Sequence, residues 1–216
     1  LRISVLNRFS DNEFSSGDRD VPAANLADGT LPPLQGVSAD VAAGQSLYSY
    51  DVTIAPEFES RWLPTQSPIS SIDAPGDWRF DASTMDFLAS EDDLSTAGLS
   101  YRMTAVDYDF RPDDLRVTPL EEDAVSDEVT ALPDGLPTIV SQLARGVTSG
   151  QRTAYDQAVA LQRWFREDGG FTYSLENAPA AKVGTDELEL FLREDTGRVG
   201  YCEQFATAMA VMARVL

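Results

Sequence analysis

The 216-residue chain contains no histidine, so the side chain that most often acts as a general base near neutral pH is missing from it. Cysteine occurs once, as Cys202. A single thiol makes no internal disulfide and leaves the redox compartment open. Lysine is almost absent: Lys182 stands beside fifteen arginines, a bias of genome or environment rather than of function. No apolar run is long enough to span a bilayer, and the first residues lack the charged-then-apolar layout of a signal peptide, so the chain reads as soluble. No His/Cys cluster has metal-ligand spacing and no glycine-rich phosphate loop is present, so neither a metal nor any other cofactor is implied. Internal repeats and low-complexity tracts are missing too.

What the chain has in excess is acid, with a formal net charge of −20. That charge excludes nucleic-acid binding, which needs clustered Lys and Arg, and disfavours an anionic membrane surface. Its plainest role is a solvated surface that keeps the protein dispersed. The charge is uneven. Residues 1–134 carry 26 acids and 8 bases, whereas residues 135–216 carry 10 and 8, which suggests two regions with different surfaces.

Residues 1–134 read as an acidic β-rich domain. Leu1–Leu6, Leu47–Ile54 and Leu99–Val106 alternate with period two, and Trp78–Asp81 with Met85–Leu88 suits a hairpin. Ser10 to about Gln45 is too aperiodic for regular structure, and Trp62-Leu63-Pro64 reads as an extended connection. Ten of the twelve prolines fall at or before Pro133. The period then changes to helical. Pro137 suits a helix start, and Thr153-Ala154-Tyr155-Asp156 has the layout of a capping box opening a helix with an inner stripe of Ala154, Ala158, Leu161 and Phe165. Gly169-Gly170 ends that helix, Thr185 caps a helix over 186–193, and Gly197 and Gly200 bracket a turn into Cys202–Leu216. Cys202, Phe205, Ala206, Met209, Ala213 and Leu216 share one face of this last helix, and its other faces are nearly as apolar. A buried central helix is expected, covered by polypeptide outside this chain, with self-association of the chain as given.

Cys202 sits where a thiol is activated most readily. The first N–H groups of a helix have no intrahelical partner and the macrodipole is positive there, both of which favour thiolate. Glu203, next along, opposes this. Taken alone, a lone cysteine in this position is more often a small buried hydrophobe than a nucleophile.

Gly200-Tyr201-Cys202-Glu203-Gln204-Phe205-Ala206-Thr207-Ala208-Met209-Ala210 resembles the nucleophile motif of bacterial transglutaminase-like proteins of the papain-like superfamily. The resemblance covers residues 137–216 and, more loosely, the β-rich region before them. It implies an α+β fold, with a β-rich domain over 1–134 followed over 135–216 by the helical N-terminal half of a papain-like transglutaminase core. It also implies a Cys-His-Asp triad in which Cys202 is the nucleophile, the histidine and aspartate come later than this chain, and backbone N–H groups near Cys202 form an oxyanion hole. Tyr173 and Trp164 are aromatic neighbours of the cleft or else core packing. The implied reaction is thioester acyl transfer on side-chain amides of a protein or peptide substrate, by transamidation or hydrolysis, with this chain inactive alone. The implied setting is the extracytoplasmic part of a cell-membrane protein whose membrane segments are absent from this chain. The alternatives are a non-catalytic transglutaminase-like scaffold that binds peptides or envelope components, and a structural β-rich envelope module.

Overall fold

The computed structural model describes residues 1–10, 13–17, 19, 21–118, 127–132, 134–176, 185–195 and 197–216. In chain order the first elements are β1 (Arg8–Ser10), β2 (Glu13–Ser15), β3 (Gly29–Thr30), α1 (Ala39–Ala43), β4 (Ser46–Thr53), β5 (Ile69–Asp73), β6 (Trp78–Asp81), β7 (Asp86–Ala89) and β8 (Ser100–Asp107). Then come α2 (Pro112–Val117), α3 (Asp127–Thr130), α4 (Thr138–Val147), α5 (Ala154–Arg163), a π-helical turn (Trp164–Asp168), β9 (Thr172–Tyr173), α6 (Thr185–Leu192), β10 (Val199–Gly200) and α7 (Cys202–Arg214). The protein is a mixed α+β chain, sheet-rich first and helical afterwards.

It divides into two compact units. The first comprises Leu1–Leu6 and Ser16–Phe110; the second comprises Asn7–Ser15 and Arg111–Leu216. Composition draws the line at 134/135, whereas packing draws it at 110/111 and assigns the β1–β2 hairpin to the helical unit.

In the first unit an antiparallel sheet has the order β3-β5-β8-β4, and β6 pairs with β7. The full length of β4 is matched to β8, from Ser46 opposite Asp107 to Thr53 opposite Ser100. Along β8 the alternate residues Tyr101, Met103 and Ala105 are buried, and Tyr101 and Met103 join the core cluster of Leu63, Ile69, Ile72, Trp78, Phe80 and Phe87, as period two requires when one face meets a core. β5 escapes the sequence pattern, because its -Ser-Ser- centre interrupts the alternation. Leu1–Leu6 is not a strand, contrary to its alternation. Leu1, Ile3 and Leu6 are exposed, and the segment is held by polar ties instead. Arg2 exchanges backbone hydrogen bonds with Thr65, and the Val5 N–H donates to the buried Asp86 carboxylate at 2.7 Å. Arg19 and Arg2 pair with the same carboxylate at 2.5 and 3.0 Å, so this buried charge is fully partnered.

In the second unit Val140, Ala144, Leu161, Phe165, Leu188, Phe191, Leu192, Ala208, Val211 and Met212 form the core, with Phe9 and Phe14 packed at its edge. Thr153 caps α5, its Oγ1 accepting from the Asp156 N–H at 3.1 Å and donating to Asp156 Oδ2 at 2.8 Å. Of the expected inner stripe Leu161 and Phe165 are buried but Ala158 is exposed. Within α5 itself Leu161 is the residue that reaches the core, and Phe165 follows from the π-helical turn. α7 also departs from expectation. It buries Gln204, Ala208, Val211 and Met212, while Cys202, Ala206, Ala213 and Leu216 are exposed.

Candidate active site

Cys202 is the first residue of α7 and is exposed, so it is not a packing cysteine. Three local features bring it there. β10, which runs directly into the helix, pairs in parallel with β9, Val199 opposite Thr172 and Gly200 opposite Tyr173. The Thr172 N–H donates to the Arg198 carbonyl at 2.6 Å and the Ser174 N–H to the Gly200 carbonyl at 2.8 Å. Gly200 must be glycine for a steric reason: a Cβ there would lie 2.8 Å from the Phe191 ring and 3.1 Å from Gln204 Cβ. The strand therefore passes close over the α6 core residue and delivers the chain to Tyr201.

The turn before β10 is held by Arg198, which adopts a left-handed φ of 62°. That conformation is unfavourable for a residue with a Cβ, and the side chain compensates. Its guanidinium donates to the Gly169 carbonyl at 2.7 Å and lies over the rings of Trp164 and Phe171 at 5.3 and 5.4 Å. Its own N–H donates to the Phe191 carbonyl at 2.8 Å. Gly169 closes the π-helical turn by donating to the Trp164 carbonyl at 2.7 Å, in a space where a Cβ would meet that oxygen at 2.6 Å.

At the helix start Tyr201 is the extended N-cap residue, φ −119° and ψ −169°. Its N–H donates to Gln204 Oε1 at 3.0 Å, and the Gln204 amide in turn donates to Glu187 Oε1 on α6 at 2.7 Å. Gln204 is only 7% exposed. The Tyr201 hydroxyl donates to Glu203 Oε2 at 2.9 Å, and that bond to a carboxylate raises the phenol above its ordinary pKa. The N–H groups of the first turn past the cap have no intrahelical carbonyl to bond, which gives an anion-accepting end beside the thiol.

Beneath this end lies an aromatic layer. Phe205 packs on Phe191 at 5.1 Å, Phe171 at 5.7 Å and Phe165 at 6.1 Å between ring centres. Trp164, half-buried, meets Phe171 edge-on at 4.8 Å under Arg198, so it packs the core. Tyr173 differs. It is 61% exposed, pairs with Gly200 two residues before Cys202, and its ring lies 6.1 Å from Phe205. Sequence reasoning missed Glu187 and Arg198. Neither stands in the Cys202 motif, and the turn glycines were the only signal that a strained residue lay between them. Among the described residues no three His, Cys, Asp or Glu side chains gather as metal ligands, and no helix is long and apolar enough to cross a membrane.

Residues 141–216 match the transglutaminase-like superfamily, and residues 1–112, over half of the chain, match the TgpA N-terminal domain. The chain belongs to the transglutaminase-like family, with a TgpA N-terminal domain. The TgpA match runs through residues 7–15, which pack in the unit that holds the transglutaminase-like match. A protein of Bacillus subtilis (strain 168), "Uncharacterized protein YebA", is 32% identical over 119 residues, covering 53% of this transglutaminase-like chain. The chain spans 16% of the length of that relative. No solved structure matches it.

Proposed function

We propose that Cys202 is the nucleophile of a thioester acyl transfer on side-chain amides of protein or peptide substrates, glutamine above all. The observation that carries the reading is an exposed thiol at the first position of α7, within residues that match the transglutaminase-like superfamily. The chain has no histidine, so the general base is a histidine from polypeptide outside these 216 residues, oriented by an aspartate from the same source. That imidazole takes the thiol proton as sulfur attacks the amide carbon. The oxygen, now negative, is received by N–H groups at the start of α7. Collapse breaks the carbon–nitrogen bond, the imidazolium proton leaves with ammonia, and the acyl group stays on sulfur as a thioester. An amine then restores an amide, or water gives a carboxylate. The reaction belongs on the outer side of the cell membrane, with the anchoring segments outside this chain.

In the full-length protein, Cys202→Ala is expected to lower ammonia release from a glutamine-containing peptide roughly 10⁴-fold or more. Iodoacetamide should label the exposed Cys202 and abolish ammonia release in step with labelling. Turnover that survives Cys202→Ala would overturn the nucleophile assignment, whereas peptide binding without any turnover in the unsubstituted full-length protein would replace this reading with that of a scaffold.

A further inference from the structure

We infer that Glu187 and Gln204 are a positioning pair for Cys202, a two-link relay that ties the first turn of α7 to α6. The inference rests on Cys202 being the nucleophile. Gln204 occupies the third position of α7, where a side-chain oxygen reaches back to the N-cap amide, and its Oε1 accepts from the Tyr201 N–H at 3.0 Å. For capping alone a glutamate would serve, and its charge would suit the positive helix end better. Glutamine is required because its other end must donate. Nε2 gives a hydrogen to Glu187 Oε1 at 2.7 Å, in a place where Gln204 is nearly closed to water. A buried amide with both ends engaged has one orientation, and reversing either partner leaves a buried group unpaired.

The residue so clamped is Tyr201, one peptide unit before the thiol. Its extended backbone sets the angle at which β10 enters the helix, and hence the direction of Cys202. The Tyr201 hydroxyl meanwhile holds the Glu203 carboxylate at 2.9 Å, fixing the one acidic group adjacent in sequence to the cysteine. Neither Glu187 nor Gln204 touches the reacting atoms in this scheme. Both act through the Tyr201 amide.

The test uses four variants of the full-length protein, with ammonia release, melting temperature and hydrogen exchange at the Tyr201 amide as readouts. Gln204→Leu and Glu187→Leu should each speed Tyr201 exchange and lower kcat roughly ten- to hundredfold at unchanged KM, the size set by a hydrogen bond to a charged group. Gln204→Glu alone should be as damaging, because it sets two carboxylates face to face. Gln204→Glu combined with Glu187→Gln reverses the relay. The amide placed on α6 then donates to the carboxylate placed on α7, which still accepts from the Tyr201 N–H. The double variant should regain most of kcat and of the exchange protection. A loss of melting temperature with kcat per folded molecule intact, or a double variant no better than Gln204→Glu, would overturn the pairing. Turnover surviving Cys202→Ala would instead sink the nucleophile assignment, and Tyr201 exchange in the four variants would still judge the relay by itself.

Discussion

A Cβ built on Gly197 would lie 1.8 Å from the Leu190 carbonyl oxygen and 2.9 Å from that of Arg193, both backbone atoms of the α6 end. Backbone cannot rotate aside as a side-chain tip can, so α6 and the turn into β10 must move together. Gly146, in the last turn of α4, has no atom within 4 Å of the equivalent position. Gly197→Ala is therefore expected to destabilise by about 3 kcal/mol, while Gly146→Ala stabilises by about 0.5–1 kcal/mol through helix propensity. Urea unfolding followed by far-UV circular dichroism separates the two. At this scale the sequence was legible where chemistry is local. Cys202 at a helix start follows from the residues beside it. The Gln204–Glu187 bond spans 17 positions and was not legible, since nothing in either residue's surroundings names the other. Arg198 was hidden for a different reason: a left-handed φ is ordinarily announced by glycine or asparagine, and arginine gives no such notice.

β4 and β8 show what an element must have to be read in advance. At Tyr50 and Val52 of β4 and at Tyr101, Met103 and Ala105 of β8 alternate residues turn inward, so period and orientation come from the same residues. α7 lacks that contrast. It is apolar on most sides, so periodicity names a helix but not its inner face. The face is chosen by Gln204, a polar residue drawn inward by its partners, which rotates Ala208, Val211 and Met212 into the core. Elements joined by charge behave differently again. α2 is tied to α5 by Arg116, whose Nε donates to Asp156 Oδ1 at 2.9 Å. The hydrogen bond to Arg116, and then that to Thr153, holds the Asp156 carboxyl below the usual carboxylate range. A depressed carboxyl contributes stability that is complete above its unfolded pKa and disappears as pH falls through the folded one. A double-mutant cycle of Arg116→Gln and Asp156→Asn, read by urea midpoint, should thus give a coupling at neutral pH that vanishes below the carboxylate range. A coupling unchanged in acid would contradict the assignment.

Across the whole molecule the acidic composition foretold two regions, yet packing assigns the β1–β2 hairpin across sequence order. Composition averages over neighbours and cannot see nine residues that leave theirs. The seat of the hairpin is specific. Phe14 receives the Arg214 guanidinium at 5.0 Å, and that group donates to the Asn7 carbonyl at 2.7 Å and to the Ala131 carbonyl at 2.8 Å. Burial pushes Arg214 below the ordinary arginine value without removing its charge. Phe14→Ala should cost the helical unit about 1–3 kcal/mol. Hydrogen exchange resolved by segment checks it: amides of α4 and α7 should exchange faster, while those of β4 and β8 hold their rates. The same seat sets a timetable for synthesis. Asn7 and Arg214 are 207 residues apart, so the β1–β2 hairpin leaves the ribosome long before the side chain that seats it. The sheet unit, complete by Phe110, is free to fold in that interval, and a nascent chain arrested short of Arg214 is left holding an undocked hairpin that a chaperone has reason to shelter.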